Sequence, residues 1–169
     1  MGRSDQEFAD FAAAASGRLL HAAFLLTGDR HRAEDAAQTA LVRVYASWRR
    51  IRRQDPYAYA RAVLVNHVRD GWRRPIREYA TEELPEPPGS SGVDVAEDVT
   101  RRRWLTDALA LLTPRERTVV VLRHYFDLTE TVVADELGIT VGAVKSMNSR
   151  ALQKLRSRIG EPVLGGELR

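Results

Sequence analysis

Residues 130–149, ETVVADELGITVGAVKSMNS, have the spacing of a helix-turn-helix, and each position in it answers a physical requirement. Two helices that cross closely need a small side chain at the crossing, here Ala134. The first helix ends on Gly138, which can take the left-handed conformation that closes a helix. Val133, Leu137, Ile139, Val144 and Met147 supply a small apolar core, and Thr140 supplies the N-cap of the second helix. The outward positions are then Thr140 itself, Val141, Gly142, Lys145, Ser146, Ser149, Arg150 and Lys154, a short polar and basic surface suited to a major groove. An ordinary helical hairpin with a solvated face fits the same pattern, so the surroundings must decide.

Upstream of this pair, Thr113-Pro114-Arg115-Glu116 is a strong helix start: threonine caps, proline occupies the first helical position, and glutamate three residues on completes a capping box. Val119, Val120, Leu122, Arg123 and Tyr125 are expected to continue that helix. Before it, RRRWLTDALALL (101–112) is amphipathic through Trp104, Leu105, Ala108, Leu109 and Leu112. Further upstream lies EYATEELPEPPGSSGVDVAED (78–98), rich in proline, glycine, serine and acids and without apolar periodicity, which reads as a flexible linker.

The N-terminal lobe reads as helices throughout. Phe8, Phe11, Ala15, Leu19, Ala22 and Leu26 share one face over residues 7–26, and Thr27-Gly28-Asp29 supplies a stop and a new cap. In a second helix from about residue 30, Ala37, Leu41, Val44 and Trp48 form a core stripe, leaving Glu34, Asp35, Gln38, Val42 and Arg43 elsewhere on the surface. After the basic run RRIRRQ (49–54), Asp55-Pro56 opens a third helix that stops before Pro75. Its face through Tyr59, Ala62, Asn66, Arg69 and Arg73 offers a ring, an amide and guanidiniums, while Ala60, Leu64, His67, Val68 and Gly71 are expected to pack inward. Trp48 and Trp72 sit at core-like spacing rather than as stacking platforms. The basic run fits a solvated loop as well as a DNA contact, and its place between two helices favours contact.

Composition agrees with a small helical protein that handles an anion. The chain has 169 residues, 44% of them apolar, enough for one ordinary domain or two very small ones. Cysteine is absent, and the four histidines (His21, His31, His67 and His124) lack ligand spacing, which excludes disulfides and thiolate metal sites and gives no metal site to expect. The most apolar N-terminal stretch is interrupted by Arg18 and His21 and lacks a cleavage site, so neither a membrane span nor a targeting signal is read, and a reducing, cytoplasmic setting fits. Charge is distributed in blocks: residues 1–77 carry 14 basic and 8 acidic side chains, residues 78–98 none and 7, and residues 99–169 carry 12 and 8. Two basic lobes thus flank an acidic bridge. All basic residues but Lys145 and Lys154 are arginine, which suits bidentate contact with phosphates and base edges and also reflects what a GC-rich genome produces.

Four stretches in order, LLTGDRHRAEDAAQTALVRVYASW (25–48), DPYAYARAVLVNHVRDGWRR (55–74), LTPRERTVVVLRHYFDLTE (112–130) and LGITVGAVKS (137–146), resemble the extracytoplasmic-function sigma factors, the minimal members of the bacterial sigma-70 superfamily. The opening LLTGDRHRAED is similar to an actinobacterial, sigma-E-like subgroup. The resemblance implies an all-α chain of two small helical domains: region 2 over 1–77, the acidic linker over 78–98, region 4 with the helix-turn-helix over 99–160, and a tail over 161–169, too short for the added sensory domain of some relatives. It implies a subunit that binds core RNA polymerase, through the beta-prime clamp helices and the beta flap, and directs promoter-specific initiation without catalysis or cofactor of its own. Matched by position, Glu34, Asp35 and Gln38 lie on the polymerase-binding face. Arg52, Arg53, Gln54 and Asp55 match the loop that captures a flipped base, and Tyr59, Asn66, Arg69, Arg73 and Arg74 match the helix that meets the minus-ten element. The helix-turn-helix residues Thr140 to Lys154 match the reader of the minus-thirty-five element in duplex DNA. An anti-sigma factor is a further partner of such proteins, and a membrane is not.

The chemistry is sensible, because an unstacked base needs a pocket with a hydrogen-bonding edge and the adjoining single strand needs arginines. Two departures bear on base specificity: Met147-Asn148 stands where many relatives have arginine then leucine, and Thr131-Val132 replaces the usual small and acidic residues. Two other classes remain. A stand-alone helix-turn-helix regulator would need a dimer helix, which the sequence does not display, and a protein-interaction adaptor would use the basic faces for acidic partners. An enzyme finds no nucleophile set, phosphate-binding glycine loop or metal constellation.

Overall fold

A computed structural model describes residues 2–72 and 95–159, all of their regular structure helical. By internal packing the chain divides into two units, Met1–Val93 and Asp94–Arg169. Arg73, Arg74, most of the expected linker and the tail lie outside the described residues.

The first unit is three helices, each packed on the other two: α1 (Arg3–Thr27), α2 (Arg30–Ile51) and α3 (Pro56–Gly71). α1 ends where expected. Gly28 adopts φ 66° and returns its N–H to the Phe24 carbonyl, a conformation that costs an L side chain about 1–2 kcal/mol and glycine little. Asp29 then caps α2 by accepting from the Arg32 N–H at 2.8 Å, and Asp55 caps α3 by accepting from Ala58 N–H at 2.9 Å. Leu19, Ala22, Leu26, Ala33, Ala36, Ala40, Val44, Ala60 and Leu64 are almost wholly buried. The alanines let the three axes approach closely, and larger residues fill the ends. Phe8, Phe11, Tyr45 and Trp48 form one aromatic cluster with ring centroids 4.8 to 6.5 Å apart. Trp48 is therefore core, as its spacing predicted.

One expectation for this unit is corrected. His67 does not pack inward: its Nε2 lies 2.8 Å from Asp35 Oδ2 and the side chain is one-third exposed. Ala60, Leu64 and Val68 are buried as expected, and α3 also buries Val63, Val65 and, despite its charge, Arg61. The α3 core stripe is thus wider than the alternation of small residues suggested.

The second unit holds α4 (Val95–Ala110), α5 (Pro114–Val120), a π-helical turn (Val121–Tyr125), α6 (Glu130–Leu137) and α7 (Val141–Ile159). α4 begins at Val95, so the last residues read as linker are its first turn. The capping box forms as expected, Glu116 N–H donating to Thr113 Oγ1 at 3.2 Å and Thr113 N–H to Glu116 Oε2 at 3.0 Å. The α-helix it starts does not continue through Tyr125: it gives way after Val120 to the π turn, closed by the Phe126 N–H on the Val121 carbonyl at 3.1 Å. Thr118, Val119, Val120, Val121 and Leu122 are all buried across this junction. Asp127, at φ 54°, turns the chain into α6, and the Arg123 guanidinium donates to the Leu128 carbonyl across that bend.

Candidate functional site

The helix-turn-helix forms as the sequence demands. Ala134 is buried at the crossing, Val133 and Val144 have no exposed surface, and Gly138 takes φ 65° and closes α6. Thr140 caps α7 by accepting from the Ala143 N–H at 3.1 Å. Val141, Gly142, Lys145, Ser146, Ser149 and Arg150 are all exposed. α7 therefore presents an outward face with two cations, hydroxyls and, at its start, an exposed Val141 beside Gly142, the part of a recognition helix that enters a groove. Lys145 reaches toward Glu130 at 3.7 Å, an exposed pair easily exchanged for a phosphate.

Lys154 is exposed as well, but its ammonium is engaged within its own unit. Its Nζ lies 2.8 Å from Glu116 Oε2, and the Glu116 side chain is only 7% exposed. Lys154 and the Thr113 cap hold the Glu116 carboxyl below the ordinary carboxylate range, against the opposing effect of its burial. Position 154 lies on the flank of α7 that turns toward α5, so the ammonium joins two helices of its own unit. Nothing local in the sequence announced this, since the partner is 38 residues away.

On α2, Glu34, Asp35, Gln38, Val42 and Arg43 are all exposed, as a partner-binding face requires. Beside them a groove of about 540 Å³ runs between α1 and α2, lined mainly by apolar side chains including Phe8, Leu20, Leu41 and Val42, with Glu34 and Gln38 at its edge. Val42 is 61% and Tyr45 53% exposed, so the polar residues matched to polymerase binding adjoin apolar surface, the composition of a specific interface core and rim. Sequence reading missed the groove because half of its wall is α1, whose outward positions carried no motif. It also missed the Asp35–His67 link, which ties this face to α3.

The residues matched to minus-ten DNA fall into two groups. Arg53, Gln54, Asp55 and Asn66 are exposed. Arg52 donates to Glu7 at 2.6 Å, Asp55 serves as a cap with one carboxylate oxygen, and the Tyr59 hydroxyl shares a 3.3 Å hydrogen bond with Ser47. Arg69 is half-buried near the end of α3. The open positions form a polar strip from the α2–α3 turn onto α3, and the occupied ones fix that turn against α1 and α2. Among the described residues no group of His, Asp and Glu is arranged to hold a metal ion, and no helix is long and apolar enough to cross a membrane.

Comparison with known proteins points one way. Residues 12–77 match the family Sigma-70 region 2, and residues 102–155 match Sigma-70, region 4. The RNA polymerase sigma-E factor of Streptomyces coelicolor is 38% identical over 155 residues, covering 90% of this chain and 86% of that one. The ECF RNA polymerase sigma factor SigL of Mycobacterium tuberculosis is 31% identical over 169 residues, covering 89% and 94%. Among solved structures, the sigma factor RpoE of Bartonella quintana, determined in complex with the anti-sigma factor NepR, has the same fold with a TM-score of 0.70 at 19% identity, covering 91% of this chain and 97% of that one.

Proposed function

Since the chain belongs to the sigma-70 family, among its extracytoplasmic-function sigma factors, we propose how its two helical units divide the work of promoter-directed initiation. The protein is a promoter-recognising sigma factor: it binds core RNA polymerase and promoter DNA and directs transcription initiation. Our reading assigns region 2 to residues 1–77 and region 4 to residues 99–160, joined by the acidic stretch between them. In region 2 the exposed α2 face, Glu34, Asp35 and Gln38 beside the apolar groove, docks on the polymerase. Arg53, Gln54, Asp55 and Asn66, with Arg73 and Arg74 beyond, meet the opened minus-ten strand, where unstacked bases need hydrogen-bonding edges and the backbone needs cations. Arg52, Tyr59 and Arg69 support that surface from beneath. In region 4 the α7 face from Thr140 to Arg150 reads the minus-thirty-five duplex. The protein catalyses nothing itself, and it works in the cytoplasm, where its polymerase is.

The observation that carries the reading is the outward α7 face. Every matched position from Val141 to Arg150 lies on the surface, while Val144 between them is wholly buried. A stand-alone regulator is disfavoured because, among the described residues of the second unit, α4, α5 and α6 each pack on α7. An anti-sigma factor is a further partner in this reading, competing for the α2 groove or the α7 face.

The test is reconstitution. The purified chain is mixed with sigma-free core polymerase and a promoter library, and run-off transcripts are sequenced. Transcripts that share a minus-ten and a minus-thirty-five signature support the reading. Tight binding of the chain alone to duplex DNA at physiological salt, with no start sites directed, overturns it.

A further inference from the structure

The run RRIRR over 49–53 carries four arginines into the turn matched to strand capture. Arg49, Arg50 and Arg53 are exposed. Arg52 is turned the other way. Its Nη1 donates to Glu7 Oε2 of α1 at 2.6 Å, a short charge-assisted bond, and its Nε is buried without a hydrogen-bond partner. Glu7 is itself well anchored for this. Phe8, the next residue, packs on Tyr45 and Trp48 with ring centroids 4.8 and 5.4 Å away, and Asp5 accepts from the Tyr45 hydroxyl at 3.3 Å. The first two turns of α1 thus grip the last turns of α2 and bring the Glu7 carboxylate to Arg52, the residue that caps α2 and begins the turn.

An arginine that faces a nucleic-acid strand adds a phosphate contact, which strengthens binding to every sequence alike and makes it more salt-sensitive. With Glu7 in place the Arg52 charge is engaged by a carboxylate of its own unit. Without Glu7 the guanidinium has cause to move outward. Its unpartnered Nε gains hydrogen bonds to water by doing so, and the side chain, 30% exposed, already reaches solvent at one edge. The turn would then present one more free cation to the strand.

We propose that Glu7 is a positioning residue for minus-ten capture: by holding the Arg52 guanidinium against α1 it withholds one cation from the opened strand, lowers the sequence-independent part of the grip and leaves the outward places of the turn to Arg53, Gln54 and Asp55. The inference rests on the reading that the α2–α3 turn meets the minus-ten strand.

The experiment uses holoenzyme assembled from core polymerase and the full chain. Its affinity is measured across a salt series for a fluorescent single strand bearing the minus-ten sequence selected in the reconstitution, and for a scrambled strand. Glu7→Ala is expected to bind both strands more tightly, about two- to fivefold at low salt, with a salt slope steeper by about 0.7, the increment of one phosphate contact on a single strand. Glu7→Gln, which keeps the side-chain volume and loses the charge, is expected to move both quantities in the same direction by less. Asp10→Ala removes an equal charge from the next turn of α1, where the carboxylate accepts from Gln6 rather than from Arg52, and is expected to change neither. In an Arg52→Ala background, Glu7→Ala is expected to do no more than Asp10→Ala does. Tighter binding is an effect that loss of structure alone would not produce. Unchanged or weaker binding in both Glu7 variants, a gain matched by Asp10→Ala, or a gain that persists without Arg52 overturns the proposal. Arg53→Ala and Gln54→Ala separate its failure from that of the underlying reading: if neither weakens strand binding, the turn is not the capture element and both fall, whereas weakening in either with no change in the Glu7 variants removes the Glu7 role alone. The Glu7 and Arg52 side chains are 38% and 30% exposed, so loss of the pair should leave the first unit folded, and circular dichroism of each variant verifies it.

Discussion

Replacing Lys154 with methionine keeps the aliphatic stem over α7 and removes the ammonium from Glu116. The carboxylate, 7% exposed, then retains the Thr113 cap and loses its 2.8 Å cation. Breaking a fully buried pair costs about 3–5 kcal/mol, and an exposed pair about 0–1 kcal/mol. Lys154 is 44% exposed, so this case falls between, about 2 kcal/mol. In a unit of this size each kcal/mol moves the midpoint by about 4–8 °C, so the second unit should melt about 10 °C lower. Calorimetry on the full chain follows this, the transition of the first unit serving as internal reference. Acid adds a second signature. The folded Glu116 carboxyl titrates below its unfolded value, so its stabilisation is complete above the ordinary glutamate range, near pH 4.3, and is lost as pH falls through the lower folded value. Lys154→Met should flatten that acid limb. It should also leave the salt dependence of promoter binding unchanged, whereas loss of a phosphate contact would lower the slope by about 1. A midpoint within 2 °C of the parent, or a reduced salt slope at a temperature where both are folded, refutes the assignment of Lys154 to the Glu116 pair.

Gly138→Ala should lower the second transition by about 1–2 kcal/mol through backbone conformation alone, because a Cβ there meets nothing within 4 Å; Gly138→Asn should lose less, and thermal melts rank the two. Asp35→Arg should weaken core polymerase binding at least tenfold in a fluorescence competition assay, while Arg150→Ala spares it and impairs minus-thirty-five recognition. His67→Ala should weaken the same binding only about two- to fivefold, the range of an exposed pair, by freeing the Asp35 carboxylate rather than removing it. Trp48→Ala should cost about 3–5 kcal/mol and abolish the first calorimetric transition at growth temperature with little effect on the second.

The parts that local chemistry dictates were legible in the chain. Gly28, Asp29, Asp55, Thr113, Gly138 and Thr140 act within one helical turn of themselves, and each does in the structure what its residue type requires. What depended on distant partners was not. Lys154 shares the helical phase of the groove cations, yet its ammonium meets the buried Glu116, and His67 resembled a core residue until Asp35 claimed its ring. Arg52 matched a DNA-capturing loop by position, yet its guanidinium meets Glu7, 45 residues earlier. Side chains long enough to cross between helices are the ones whose role periodicity does not settle.

The π turn has a consequence for how such a protein changes over generations. Deleting one residue between Val121 and Tyr125 would remove the extra residue that the i to i+5 closure accommodates and return the segment to the ordinary helical spacing, while every codon of α7 stays as it was. Length changes at this turn therefore act on the packing of Val121 and Leu122 and not on the sequence of α7.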